Sequence, residues 1–329
     1  MFSIGLTDHL EGPREQRSDE IFGEVADLVR LADRLGVKYA WFAEHHAHAH
    51  QGHLPAPLLL ALHLAGQTKR IQLGTAIICL NLHHPLDVAE QVAVADVLSG
   101  GRMAVGFGSG STPQEAELFS AIEMNEADRH DAFSQSLRKI LRAWDQSVTC
   151  RGGTPVPPAD ILPKPAAGLA KRCWVAVNSA GSARIAGELG FNMLFSHLRT
   201  PEQYREYVAT FRAAGGGGLV AANRPMFVAE NDATAWRIAE PALRSLWRRF
   251  QREGKIAADV PEPTSIEGLC AHPINFIVGG AESVARQLTA LHRNVPFDVA
   301  NVEVRWAGLT REIVCDSLRR LMQDVVPLL

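Results

Sequence analysis

Paired cysteines are missing from this chain. The five that occur in 329 residues, Cys79, Cys150, Cys173, Cys270 and Cys315, form no Cys-x-x-Cys unit. An odd, scattered set excludes a disulfide framework and fits reduced thiols in a cytoplasmic protein. Long apolar runs are missing as well. None approaches the roughly 18 residues of a membrane span, so no membrane contact is expected. An excess of one charge is also missing: 33 Lys and Arg stand against 36 Asp and Glu, a net charge of -3. A general nucleic-acid binder carries a basic face, so no nucleic acid is expected either. At the amino end, Met1-Phe2-Ser3-Ile4-Gly5-Leu6 shows no basic segment leading into an apolar one, and no secretory signal is read there. Internal repeats are absent. Apolar residues, by contrast, make up 47% of the chain, enough for a sizeable core. The length admits one large α/β barrel or two ordinary domains.

Strand-like and helix-like stretches alternate almost throughout. Apolar runs predict strands at Phe2–Thr7, Tyr39–Ala43, Ile71–Leu80, Met103–Phe107, Cys173–Val177, Met193–Phe195, Pro225–Val228 and Val299–Val304. Between them, apolar residues recur at helical spacing: Val25, Leu28, Val29, Ala32 and Leu35, then Val88, Val92 and Ala95, and finally Val314, Leu318, Leu321 and Val325. Thr200-Pro201-Glu202-Gln203 reads as a capped helix start. The Pro- and Gly-rich stretches 152–168 and 252–275 read as inserted loops, and Gly215–Gly218 as a plain break. Alternation of this kind fits a parallel barrel or a doubly wound sheet.

One segment stands out. Trp41-Phe42-Ala43 ends a buried strand, and Glu44-His45-His46 follows at once. Polar groups at the carboxyl end of a barrel strand line a pocket. About thirty residues on, a second strand holds Gly74-Thr75-Ala76-Ile77. His83-His84-Pro85-Leu86, a helix with Glu90-Gln91, and the turn Ser99-Gly100-Gly101-Arg102 follow in that order. The series resembles the bacterial luciferase-like flavin monooxygenases, densely from Asp33 to Gly110 and more sparsely to the carboxyl end. The resemblance implies one α/β domain over residues 1–329: an eight-stranded parallel (β/α)8 TIM barrel with a late insertion region.

It also implies roles for particular residues. His45 would sit beside the reactive edge of the flavin and support its oxygen chemistry, which needs a proton donor titrating near neutrality. Glu44 would lie in the cofactor pocket. Ala76-Ile77 would be a cis peptide against the flavin ring. Gly108, Ser109 and Gly110, after the fourth strand, would approach the flavin phosphate, with Ser109 standing where FMN-using relatives carry an arginine. Asn178, Ser179 and Ser182 open a helix, where hydroxyls and bare N–H groups make an anion site or simply cap the helix. Arg129 and His130 would help shape the pocket. Arg305-Trp306, ending the last strand, would face the same cavity or pack.

The implied cofactor is reduced FMN as a co-substrate, with a deazaflavin coenzyme as the alternative that Ser109 favours. The partners implied are dioxygen, a small organic substrate and a separate flavin reductase, since no convincing NAD(P)H fingerprint is present. A homodimer or higher homo-oligomer is also implied. A flavin binder without turnover is a lesser alternative. So is a metal-dependent barrel hydrolase built on His46, His48, His50 and His53, since His-x-His at a strand end can hold zinc or iron. Only His197 offers a ligand from a later strand end, so no metal is expected.

Overall fold

Strand β2 (Tyr39–Phe42) shows how the sequence builds the architecture. Its side chains alternate between two faces, and both are apolar. Tyr39 and Trp41 join an inner cluster, while Ala40 and Phe42 join an outer one. A strand buried on both faces belongs to a parallel sheet covered by helices. The structure is a computed structural model that describes residues 2–12, 15–46, 52–110, 118–119, 126–145, 161–196, 198–252, 254–271, 275–306 and 308–329.

The other strands are β1 (Ser3–Asp8), β3 (Gln72–Cys79), β4 (Met103–Gly108), β5 (Cys173–Val177), β6 (Asn192–Phe195), β7 (Val220–Val228), β8 (Ile277–Gly279) and β9 (Val299–Glu303). Parallel pairing runs from β1 through β7 in order, then from β7 to β9 and back to β1. Eight strands therefore close on themselves as a TIM barrel and leave no open edge. The ninth, β8, pairs only with Met226–Val228 at the far end of β7.

Helices α1 (Ser18–Leu35), α2 (Pro57–Ala65), α3 (Pro85–Leu98), α4 (Glu126–Asp145), α5 (Ala180–Glu188), α6 (Pro201–Ala213), α7 (Asp232–Arg252), α8 (Ile266–Cys270), α9 (Ala281–Asn294) and α10 (Arg311–Arg320) lie between and after the strands. The start of α6 is a capping box: Gln203 N–H donates to Thr200 Oγ1 at 3.3 Å, and Thr200 N–H to Gln203 Oε1 at 3.0 Å. Asp33, near the end of α1, accepts from the N–H groups of Lys69, Arg70 and Ile71 at 3.0, 2.9 and 2.8 Å, which fixes the entry to β3. The turn Ser99–Arg102 has Gly100 and Gly101 at φ +69° and +77°, where side chains are strained. Arg102 then ties the turn to Ala65 O, at 2.6 Å, and to Thr68 Oγ1, at 3.1 Å.

The barrel interior is plugged by Tyr39, Trp41, Ala104, Trp174, Leu194, Ala221 and Val299. Trp41 stacks on Tyr39 and meets Trp174 edge-on, each at 5.3 Å between ring centroids. Its indole N–H donates to Asn301 Oδ1 at 3.1 Å, so the polar atom inside the barrel is satisfied. Gly74 makes room for that ring: a Cβ there would lie 1.9 Å from Ala104 O and 2.7 Å from the indole. Gly74 thus allows a close backbone approach, and the β3–β4 register shifts just beyond it, between Thr75 and Ile78.

Two strands differ from the sequence reading. β7 begins at Val220 rather than Pro225. Its first half contains Asn223 and Arg224, whose polar character breaks the apolar pattern. Arg224 is nevertheless buried and donates to Tyr204 OH at 2.8 Å. β8 went unread because three residues after a Pro-rich stretch show no period. That stretch also holds α8, whose Leu269 packs with Phe227, Trp247, Phe250 and Trp306 in a second apolar cluster.

Candidate active site at the carboxyl end of the barrel

Glu44 follows β2 and is almost fully buried. Its Oε1 accepts from His46 Nε2 at 2.9 Å and from His83 Nε2 at 2.8 Å, and its Oε2 accepts from the Cys79 N–H at 3.2 Å. Three donors satisfy a carboxylate that would otherwise be costly to bury. His83 arrives on the 3₁₀ turn Leu80–Leu82 that continues β3. Its pKa is raised by the hydrogen bond and charge of Glu44, with help from Asp87 and against burial. His46 also packs edge-on against Phe119, with ring centroids 4.5 Å apart. The donor atoms of Glu44, His46 and His83 all lie within 4.8 Å of one another. A divalent ion could use such a set, although here both nitrogens reach the carboxylate as hydrogen-bond partners.

His45 turns the other way, toward β1 and β9. Its Nε2 lies 3.1 Å from Nδ1 of His9, which directly follows β1, and the two rings stack at 5.4 Å. Nε2 of His9 lies 3.3 Å from Oε1 of Glu303, the last residue of β9. Residues 52–54 are stitched to the chain on either side of this pair. His53 N–H donates to Leu10 O at 3.1 Å, and His45 N–H to Leu54 O at 3.0 Å. Gly52 sits so close that a Cβ would meet His9 O at 2.2 Å and the His45 ring at 2.9 Å. Beside them, Arg305 grips Asp8, so this arginine closes the seam between β9 and β1, while Trp306 packs into the second cluster.

The cofactor candidates lie on the neighbouring strand ends. The Ala76–Ile77 peptide is cis, and both residues are half-buried against the inner cluster. Ile77 crosses to β4, where a Cβ on Gly108 would fall 2.3 Å from Ile77 Cδ1. Ser109 and Gly110 follow, half-buried. Ser179 and Ser182 cap each other at the start of α5: Ser182 N–H donates to Ser179 Oγ at 3.3 Å, and the N–H groups of Asn178 and Ser179 both donate to Ser182 Oγ at 3.2 Å. The Ala180 and Gly181 amides lie outside that box. Ser179 Oγ also lies 3.3 Å from His130 Nε2. Next to His130, Arg129 accepts from Asn81 Nδ2 through its carbonyl at 3.3 Å, and its Nε is buried without a hydrogen-bond partner. Among the described residues, no hydrogen bond joins Ser109 to Ser179 or Ser182.

The structure therefore gathers the expected residues at one end of the barrel and adds three that the sequence reading gave no role: His9, His83 and Glu303. Each directly follows or ends a strand or its turn, the same positional signal that singled out Glu44 and His45. His48, His50 and His197 lie outside the described residues.

The model of the luciferase-like monooxygenase family matches residues 2–295. The chain belongs to the luciferase-like monooxygenase family. It is accordingly an oxidoreductase of the monooxygenase kind. The oxygenase component of flavin-dependent trigonelline monooxygenase from Acinetobacter baylyi is 25% identical over 351 residues, spanning 98% of this chain and 94% of that one. Two solved structures share the fold. The oxygenating constituent of 3,6-diketocamphane monooxygenase from Pseudomonas putida, in complex with FMN, superimposes with a TM-score of 0.80 at 22% identity, covering 99% of this chain and 98% of that one. The coenzyme F420-dependent tetrahydromethanopterin reductase from Methanopyrus kandleri does so with a TM-score of 0.73 at 16% identity, covering 99% of each. Both share the barrel fold of this chain.

Proposed function

We propose that this chain is the oxygenase of a two-component flavin-dependent monooxygenase. It takes reduced FMN from a separate reductase, together with dioxygen, and oxidises a small organic substrate in the cytoplasm. The observation that carries this reading is the pair Glu44 and His45. These consecutive residues at the end of β2 are held by two separate hydrogen-bonded sets across the barrel mouth. The relative from Acinetobacter baylyi, named as an oxygenase component, supports the two-component arrangement.

The residues present suit a flavin. Ala76 and Ile77 offer a half-buried surface beside the glycine-lined end of β4. The buried, unpartnered Nε of Arg129 is an unused donor. The start of α5 offers the Ala180 and Gly181 amides, and helix starts favour anions. Ala76 and Ile77 would meet the ring. Gly108, Ser109, Gly110, Asn178, Ser179 and Ser182 would lie along the phosphate tail, with Arg129 as its cation. Bound there, reduced flavin supplies the electrons that activate dioxygen. His45 holds the proton that the reacting centre exchanges, and Glu44 fixes His46 and His83 beside it.

We read the chain as one domain with loops 152–168 and 252–275 inserted, and as a homodimer or higher homo-oligomer. Leu59 of α2 and Val97 and Leu98 of α3 expose apolar side chains on two packed helices, a surface suited to a second copy of the chain. Among the described residues, no helix is long and apolar enough to cross a membrane.

The second reading is a deazaflavin-dependent hydride-transfer enzyme on the same barrel, favoured by Ser109, which brings no cation to the end of β4. Anaerobic titrations with oxidised FMN, reduced FMN and a deazaflavin separate the two. Tightest binding of reduced FMN, with oxygen uptake once a reductase supplies it, is the expected result. Binding of the deazaflavin alone moves the second reading ahead. Flavin binding without oxygen uptake over a panel of substrates points to a non-catalytic binder.

A further inference from the structure

We propose that His9 and Glu303 form a proton relay behind His45, in which His9 sets the tautomer of the His45 ring and resupplies its proton. The proposal rests on the reading of His45 as the proton-handling residue.

The geometry is a linear chain of three groups from three strand ends. Glu303 Oε1 meets His9 Nε2 at 3.3 Å, and His9 Nδ1 meets His45 Nε2 at 3.1 Å. Two ring nitrogens facing each other at that distance share one proton, so the state of His9 dictates the state of His45. When His9 is an imidazolium it donates from both nitrogens. His45 Nε2 must then accept, and the His45 proton sits on Nδ1.

The surroundings favour the charged form of His9. Burial opposes it. The charge and hydrogen bond of Glu303, then the charges of Glu11 and Asp8, outweigh burial and lift the pKa to about 9. Two cations stand behind these carboxylates: Arg305 pairs with Asp8 at 2.7 Å, and Arg249 lies 3.4 Å from Glu11. Glu303 is therefore the carboxylate in direct contact with His9, and its side chain is largely buried.

The relay balances without any further reactant. His45 loses the proton on Nδ1 to an acceptor in the site. The N–H bond at His9 Nδ1 breaks as one forms at His45 Nε2. The His45 ring ends neutral in its other tautomer, and His9 ends neutral while still donating from Nε2 to Glu303. A proton returned to His45 Nδ1 resets the relay: the N–H bond at His45 Nε2 breaks as one re-forms at His9 Nδ1, and His9 is again charged beside Glu303. The ring between two partners works as in other carboxylate-oriented histidines. Here a second histidine stands between the carboxylate and the ring that reacts.

Nitrogen-15 NMR of the full-length chain, labelled in histidine and held at one neutral pH, reads the tautomer directly. His45 is assigned by its loss in His45→Ala. In the wild-type chain we expect the His45 proton on Nδ1. In Glu303→Gln we expect it to move toward Nε2, because His9 loses its charge. In His9→Gln an amide N–H can still hold the tautomer but cannot deliver a proton. That variant should keep the Nδ1–H signal and reduced-FMN binding while substrate-free reoxidation of reduced FMN by dioxygen changes about 100-fold, within the range of general acid–base effects. A wild-type His45 protonated on Nε2, or a Glu303→Gln chain with an unchanged tautomer, overturns the relay. If the tautomer responds as expected but His45→Ala leaves reoxidation and turnover untouched, the relay geometry stands and the assignment of His45 to the chemistry fails instead.

Discussion

Arg305 lies against Asp8 as a two-pronged pair, Nη2 to Oδ1 at 2.7 Å and Nε to Oδ2 at 2.9 Å, and so joins the strand that ends the barrel to the strand that begins it. The next residue after Asp8 is His9, and two residues before Arg305 is Glu303. One ion pair therefore sets the spacing between the two groups behind His45. Both partners are largely buried, at 10% and 2% side-chain exposure, so water screens the pair little. Arg305→Met leaves Asp8 buried without its cation. Loss of one partner of a buried pair costs about 3–5 kcal/mol. Denaturant unfolding should show a loss of that order, and the double variant Asp8→Leu with Arg305→Met should recover much of it. A loss below about 1 kcal/mol in the single variant would mean that the seam is held by the strand pairing alone.

The barrel and half of the residues of its candidate site were legible in the sequence, and the boundary between legible and hidden is physical. β2, β3 and β4 are short, apolar on both faces and bounded by turns, so composition exposes them. β7 hid its first half because Asn223 and Arg224 point polar groups into a strand, and the compensation of Arg224 by Tyr204 OH comes from another element. Glu44 and His45 were visible because they directly follow a strand. Their partners were not: His9 is 36 residues from His45, His83 is 39 from Glu44, and Glu303 is 294 from His9. Only the closure of β9 onto β1 brings the last pair together, and no local pattern encodes that closure. The serine pair at α5 was read both as an anion site and as a cap. The capping box accounts for both hydroxyls, so an anion there would draw chiefly on backbone N–H groups.

His45→Ala should fold as the wild-type chain does and keep most of its affinity for reduced FMN, because several strand ends contribute to the pocket. Turnover should fall by roughly 100- to 10,000-fold, the usual value of general acid–base help. Circular dichroism, flavin titration and oxygen uptake on one preparation check the three parts. Near-wild-type oxygen uptake would remove His45 from the mechanism.

Asp33 gives a prediction about stability and pH. Burial raises its pKa, but the N–H groups of Ile71, Arg70 and Lys69 more than offset this, and the carboxyl is held below its usual range. A depressed carboxylate stabilises the fold above its unfolded pKa of about 3.9, and that contribution is lost as pH falls through the lower folded value. Asp33→Asn should therefore cost about 1.5–3 kcal/mol at pH 7, the range for bonds to a charged group. The gap to wild type should narrow as the pH falls below about 4. Urea unfolding at a series of pH values measures it. A gap independent of pH would mean that shape, not charge, holds the start of β3.

Glu44, His46 and His83 present a set that a metal could occupy, yet Glu44 Oε1 already takes two histidine nitrogens and Oε2 takes the Cys79 N–H. We expect untagged protein to contain less than stoichiometric zinc or iron by elemental analysis, and chelators to leave oxygen uptake unchanged. One tightly bound metal per chain, removed along with activity, would make this cluster a metal centre and reopen the hydrolase reading.

Ser109 gives a prediction about how tightly FMN is held. It follows β4, half-buried, where the resemblance expects an arginine. At the β4 loop itself a serine hydroxyl and backbone N–H groups give the phosphate no charge-assisted, two-pronged partner. A hydrogen bond to a charged group contributes about 1.5–3 kcal/mol, and about 1.4 kcal/mol is a factor of ten in affinity. The protein should therefore purify colourless and bind oxidised FMN weakly. Ser109→Arg should tighten FMN by roughly tenfold or more if the start of α5 and Arg129 already place the phosphate nearby. Flavin titrations of both proteins at one salt concentration provide the measurement, and repeating them at higher salt should shrink the gain, since an exposed guanidinium is screened. An arginine that leaves FMN affinity unchanged or worse would place the phosphate away from the β4 loop. With the charge at this loop then irrelevant to FMN, the deazaflavin reading would gain, and the same pair of proteins titrated with a deazaflavin would show whether the native serine suits that coenzyme better.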